Sequence, residues 1–276
     1  MQIGIVSRSF SGMTNRQTAE RMRKLGYTST ELCLTATDSN YWRYNGLTDL
    51  GGLSLDRFAR IADTYREQGI LVHAFGCFTC CVEHDEERRR VYLDGFKRCI
   101  EYAAHARIPI VTTECGFDPE CRSLRAAYYE RDYQLLMDTI GRAASYAAQL
   151  GVSIAIEPCV LDVLPSARRM RHFLDELGMA NVGCMLDPAN LIANSSEEDM
   201  FRDLAGRILY FHGKDRKIND AYGRLIGDGE IDWPKFLRLY HAHCEGIPFI
   251  LEYANNETAA EAFRRVQHFD EAARRG

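Results

Sequence analysis

Leu150-Gly151-Val152-Ser153-Ile154-Ala155-Ile156-Glu157-Pro158 decides how the chain is to be read. A helix-like stretch ends on a leucine, a glycine follows as a left-handed cap, and an apolar, β-branched run begins at once and stops at a lone carboxylate. The same unit recurs in both directions. Strand-like runs fall at residues 2–6, 29–34, 70–75, 109–113, 152–157, 182–187, 208–212 and 248–252, eight in all. Helix-like stretches fall between and after them, at 15–25, 54–67, 86–105, 126–150, 166–177, 197–204, 233–243 and 257–273. Leu25-Gly26, Gln68-Gly69 and Leu177-Gly178 repeat the helix stop, while Thr14, Ser54 and Asp85 stand where a helix needs an N-cap. Strict alternation demands parallel strands, because each helical crossover returns the chain to the same end of the sheet. Eight such units predict one closed (β/α)8 barrel, an α/β fold with residues 1–276 as a single domain. An open doubly wound sheet is the competing architecture, but no G-x-G-x-x-G follows the first strand.

Composition sets the bounds on function. The 276 residues carry 39 acidic and 34 basic side chains, a formal net charge of -5, and 46% of them are hydrophobic. That apolar content builds a large core, and the acidic balance gives no footprint for nucleic acid or an anionic membrane. No stretch reaches the length of an apolar membrane span, and Met1–Arg8 does not read as a secretion signal, so a cytoplasmic protein with reduced thiols is expected. Ten cysteines would suit a disulfide framework only in a short secreted chain. Cys77, Cys80 and Cys81 look like half of a zinc ribbon, yet no second CxxC completes a four-thiolate site, and buried inert thiols are the expectation.

In a barrel of this kind the chemistry sits where strands end. Four consecutive runs stay apolar until one ionisable group appears: Glu157, Asp187 in Leu186-Asp187-Pro188-Ala189-Asn190, His212 in Phe211-His212-Gly213-Lys214-Asp215, and Glu252 in Leu251-Glu252-Tyr253. The separations of 30, 25 and 40 residues each approximate one β/α unit, which puts the four groups at one height. Three carboxylates and an imidazole crowded together repel without a cation, whereas Mn²⁺, Mg²⁺, Co²⁺ or Zn²⁺ accepts such an oxygen-and-nitrogen set. One divalent ion on Glu157, Asp187, His212 and Glu252 is therefore expected, with Mn²⁺ first among the candidates.

These motifs, with Gly227-Asp228-Gly229-Glu230-Ile231-Asp232-Trp233 ahead of the next helix, resemble the xylose-isomerase-like sugar isomerase/epimerase superfamily over essentially the whole chain. The resemblance implies a TIM barrel whose metal is held by the same four residues and whose substrate is a sugar, sugar acid or cyclitol. By analogy with ketose 3-epimerases it implies that Glu157 and Glu252 are the catalytic pair, one removing a proton beside a carbonyl and the other returning one through an enediolate. The chain departs from that group at Asn190, where some members have a substrate-binding histidine, and Arg216 is the nearest match to their substrate-contacting arginine. The resemblance also allows a homo-oligomer.

Other residues keep two readings at this point. Glu114, ending the fourth strand, either bonds a substrate hydroxyl or caps a loop. His73 either faces ligand or sits in the core, and Lys214 either binds substrate oxygen or pairs with Asp215. Tyr41-Trp42-Arg43-Tyr44 is a lid or a packed loop. Two other enzyme classes fit the same metal and base: a lyase or dehydratase, and a C-deglycosidase-type enzyme on a keto-sugar or keto-inositol. A nuclease resembling endonuclease IV needs several more histidine ligands, and most of the eight histidines fall in predicted helices. A sugar-binding protein without catalysis is the non-enzyme reading.

Overall fold

A computed structural model describes residues 1–44, 46–116 and 126–275. Eight parallel strands close on themselves in sequence order: β1 Ile3–Ile5, β2 Ser29–Leu32, β3 Leu71–Gly76, β4 Ile110–Glu114, β5 Ser153–Glu157, β6 Val182–Leu186, β7 Ile208–Gly213 and β8 Phe249–Leu251. The last strand pairs with the first through Ile3–Phe249 and Gly4–Ile250, so the barrel has no free edge. The helices are α1 Asn15–Leu25, α2 Leu55–Glu67, α3 Glu86–His105, α4 Tyr129–Gln149, α5 Ala167–Leu177, the short α6 Pro188–Leu191, α7 Glu197–Leu204, α8 Trp233–His243 and α9 Ala259–Arg275. This is the expected (β/α)8 barrel.

Local chemistry explains the helix limits. Thr14 caps α1 by accepting from the Gln17 amide while Gln17 reaches back to the Thr14 amide, and Ser54, Asp85, Ser166 and Asp232 cap their helices singly. Gly178 ends α5 at φ 65°, a left-handed conformation that costs a side-chain-bearing residue steric strain. The expected helix at 126–150 divides into a 3-10 turn at Ala126–Tyr128 and α4 proper.

Two cores result. Between barrel and helices, aromatic side chains dominate, with Phe58 against Phe75 and Tyr102, and Phe211 against Phe201, Phe236 and Tyr240. Along the barrel axis a smaller cluster of Val6, Ala74, Ile110, Ala155, Met185, Tyr210 and Ile250 fills the interior. Each large apolar side chain so buried contributes about 1.5–3 kcal/mol. The register between β2 and β3 shifts after Thr30, so that Thr30 pairs with Val72 but Glu31 pairs with Ala74 and His73 is skipped. Cys77, Cys80 and Cys81 are buried, as expected, and Cys121 lies outside the described residues. Among the described residues no helix is long and apolar enough to cross a membrane.

Candidate metal centre

Strand periodicity delivers the four expected ligands to one place. Ala155, Met185, Tyr210 and Ile250 point into the barrel axis, and side chains alternate along a strand, so the residue two further on points inward one level higher. Those residues are Glu157, Asp187, His212 and Glu252. Each is buried, and each offers a donor atom within 4.8 Å of the other three. Asp187 also caps the short α6, its Oδ1 accepting from the Ala189 amide, which leaves Oδ2 for the interior.

The residues fit a divalent cation on two observations of their own. His212 Nδ1 is buried without a hydrogen-bond partner, 3.7 Å from Glu157 Oε1 and 3.7 Å from Glu252 Oε2. Positive charge already collects in the same space, because the Lys214 ammonium lies 2.5 Å from Asp187 Oδ2, 2.7 Å from Glu252 Oε2 and 3.5 Å from Glu157 Oε1. The Asp187 contact is an ion pair without hydrogen-bond alignment, so Oδ2 too lacks a hydrogen-bond donor. Three hard oxygen donors and one imidazole match Mn²⁺, Mg²⁺, Co²⁺ or Zn²⁺.

Burial and neighbours pull the carboxylates apart. Burial is the largest influence on Glu157 and Glu252 and disfavours their anions, but the neighbours together outweigh it, Lys214 and His212 at both and Arg8 also at Glu252; both groups are held below the ordinary carboxylate range. Asp187 goes the other way, pushed up to about 7 by burial and by the adjacent Glu157 and Glu252 anions, against Lys214. The ammonium of Lys214 stays charged despite its burial because Asp187, Glu252 and Glu157 surround it.

Two residues of the cluster escaped the sequence reading. Glu31, on β2, is fully buried and accepts from His212 Nε2 at 2.9 Å, Tyr210 OH at 2.7 Å and Arg8 Nη1 at 3.1 Å. Arg8, just beyond β1, also donates to Glu252 Oε1 and lies over the Trp42 and Phe78 rings. A search for acidic, histidine or lysine residues at strand ends passes over an arginine there and over a carboxylate set inside a strand. The signal available for Glu31 was its place in Ser29-Thr30-Glu31-Leu32, a lone charge in an otherwise uncharged strand.

The remaining candidates divide. Asn190 Nδ2 donates to Glu157 Oε1 at 2.7 Å, and Arg216 Nη2 donates to Asn190 Oδ1 at 3.0 Å, so both reach the cluster in series. Arg216 is 5% exposed, and its Nε and Nη1 have no hydrogen-bond partner. Glu114 stands beside Glu157 in the β4–β5 register and accepts from Tyr44 OH, which folds the aromatic loop across the mouth. Arg8, Tyr44, Glu252 and Tyr253 line a cavity of about 290 Å³ there. His73 is not brought to the cluster: its Nε2 bonds the Leu209 carbonyl near the amino ends of the strands, and its ring meets Tyr210. Lys214 does not pair with Asp215. That carboxylate is fully buried and accepts from the Arg216, Gly227 and Ile231 amides and from Trp233 Nε1, which ties the Gly227–Trp233 stretch beneath Arg216.

The model of the xylose isomerase-like TIM barrel family matches residues 19–269. The chain belongs to that family. No curated protein matches it. Solved structures with this barrel include 3-keto-D-glucoside 4-epimerase, YcjR, from E. coli in its apo form, which is 17% identical with a TM-score of 0.75 and covers 98% of this chain and 99% of its own. D-psicose 3-epimerase in the presence of D-fructose is 19% identical, TM-score 0.72, over 100% of this chain and 96% of the other. The IOLI protein with a binding zinc atom is 18% identical, TM-score 0.78, over 100% and 99%. At these identities the likeness is one of fold, and within the family the chemistry has to be argued from the side chains.

Proposed function

We propose that this chain is a divalent-metal-dependent isomerase or epimerase that removes a proton beside a carbonyl of a sugar or sugar derivative. The observation that carries the reading is the buried quartet Glu157, Asp187, His212 and Glu252, whose donors converge at the carboxyl ends of adjacent strands. Those four residues would hold the ion, Mn²⁺ being the first to test. Bound there, it supplies positive charge that makes a C–H next to a carbonyl more acidic.

The protein's own groups do the rest. Glu157 and Glu252 are held ionised, the state a general base needs, and each is oriented by a neighbour. Asn190, itself held by Arg216, fixes one oxygen of Glu157, while Arg8 and Lys214 fix both oxygens of Glu252. One carboxylate removes the proton and the other returns one, which inverts the carbon; a single carboxylate carrying it to the next carbon isomerises instead. The unpartnered Nε and Nη1 of Arg216 are donors for substrate oxygens, and Glu114 and Tyr44 close the rim where a sugar hydroxyl would lie. Fold relatives that include two named sugar epimerases support a carbohydrate substrate.

The test is solvent exchange. The Mn²⁺-loaded protein is incubated in deuterated water with ketoses, their phosphates and keto-inositols, and label is followed by NMR. Deuterium next to a carbonyl names substrate and carbon, and loss of a substituent in the same spectra marks elimination. Glu157→Gln and Glu252→Gln are each expected to cut exchange by about 10²–10⁴-fold with the fold retained. No label from any member of the panel, or full exchange in the double variant, contradicts the reading.

A further inference from the structure

Histidine can present either ring nitrogen to a cation, and the nitrogen it presents is decided by what holds the other. Here the holder is visible. Glu31 lies on the opposite side of the His212 ring from the quartet, with Oε2 2.9 Å from Nε2, while Nδ1 faces Glu157 and Glu252. A carboxylate only accepts, so Nε2 keeps its proton and the Nδ1 lone pair is directed at the ion. Glu31 is itself fixed by Tyr210 OH and Arg8 Nη1, and an added Cβ on Gly76 would fall 2.7 Å from its Oε1, so the carboxylate fills its slot. The same arginine reaches Glu252 through its other nitrogen. One carboxylate that touches no other member of the quartet thus sets the aim of a ligand and, through Arg8, of a base.

We propose that Glu31 is a positioning residue for the metal centre: it holds His212 with the proton on Nε2 so that Nδ1 ligates, and it anchors the arginine that orients Glu252. The inference rests on the reading of the quartet as a metal site, and the experiment separates the two. Binding of Mn²⁺ alone, with no sugar, is measured by electron paramagnetic resonance of the free ion for the wild type, Glu157→Gln and Glu31→Gln, alongside their cation-free melting temperatures. Glu31→Gln is expected to weaken Mn²⁺ binding about 10–100-fold, beyond any change in melting temperature. A purely structural role would lower the melting temperature and leave the affinity of the folded protein unchanged, and that result overturns the inference alone. Glu157→Gln binding as tightly as wild type, or a wild type that does not bind Mn²⁺, overturns the metal reading and the inference together.

A second measurement needs no variant. In the Zn²⁺-loaded wild type with ¹⁵N-labelled histidine, long-range proton–nitrogen spectra are expected to show His212 protonated at Nε2 and ligating through Nδ1. A proton on Nδ1 with zinc on Nε2 refutes the proposal even if Glu31→Gln fails to fold.

Discussion

Lys214 is the side chain whose contacts differ most from its sequence reading. Next to Asp215 it reads as half of a local ion pair, yet it reaches three carboxylates brought together from β5, β6 and β8. Sequence neighbours on a strand end point in different directions, and only the closed barrel shows which partners a long side chain meets. Removing a partner from a buried ionic group leaves uncompensated charge, so Lys214→Met is expected to destabilise the cation-free protein by about 3–5 kcal/mol. Mn²⁺ should restore more stability to this variant than to wild type, as read by denaturant unfolding with and without the ion; equal Mn²⁺ effects would argue against a shared space. His73 gives the pH test. Burial lowers its pKa below the ordinary 6.5, with the Leu209 carbonyl opposing. A depressed folded pKa stabilises above the unfolded value and is lost as pH falls through the folded one. The stability difference between wild type and His73→Gln should therefore shift against wild type as pH drops below about 6.5, followed by unfolding midpoints across pH; a constant difference would show that His73 charges freely.

At the scale of elements, the strands were legible to within one or two residues because short apolar, β-branched runs and glycine helix stops mark them independently. The short α6 was not, although Asp187-Pro188 is a cap followed by proline at the first helical position, a signal overshadowed by the reading of Asp187 as a ligand. Asp187 caps with Oδ1 and leaves Oδ2 facing the other three residues of the quartet. The Gly227–Trp233 stretch was legible as a motif but not as a device. Its carbon-poor position at Gly229 is required by close approach, since a Cβ would sit 2.1 Å from Asp215 Oδ1 and 2.5 Å from the Arg216 carbonyl. Gly229→Ala is expected to cost about 1–3 kcal/mol and to displace Arg216, raising KM for the substrate that solvent exchange identifies more than it lowers kcat. An unchanged KM would separate this loop from substrate binding.

The whole molecule brings four carboxylates, Glu31, Glu157, Asp187 and Glu252, into one buried region with the cations Arg8 and Lys214 and the imidazole of His212. The carboxylates there outnumber Arg8 and Lys214, and a divalent ion would redress the excess. That excess was half legible: the quartet follows from strand ends at matching height, whereas Glu31 and Arg8 join it only when β1 and β2 close against β7 and β8. Anomalous diffraction at the manganese edge, from crystals of the Mn²⁺-loaded protein, tests the arrangement most directly. One peak is expected at about 2.0–2.3 Å from oxygens of Glu157, Asp187 and Glu252 and from Nδ1 of His212, with the Lys214 ammonium moved off Asp187. A loaded crystal with no peak among these residues, and Lys214 still on all three carboxylates, would contradict it.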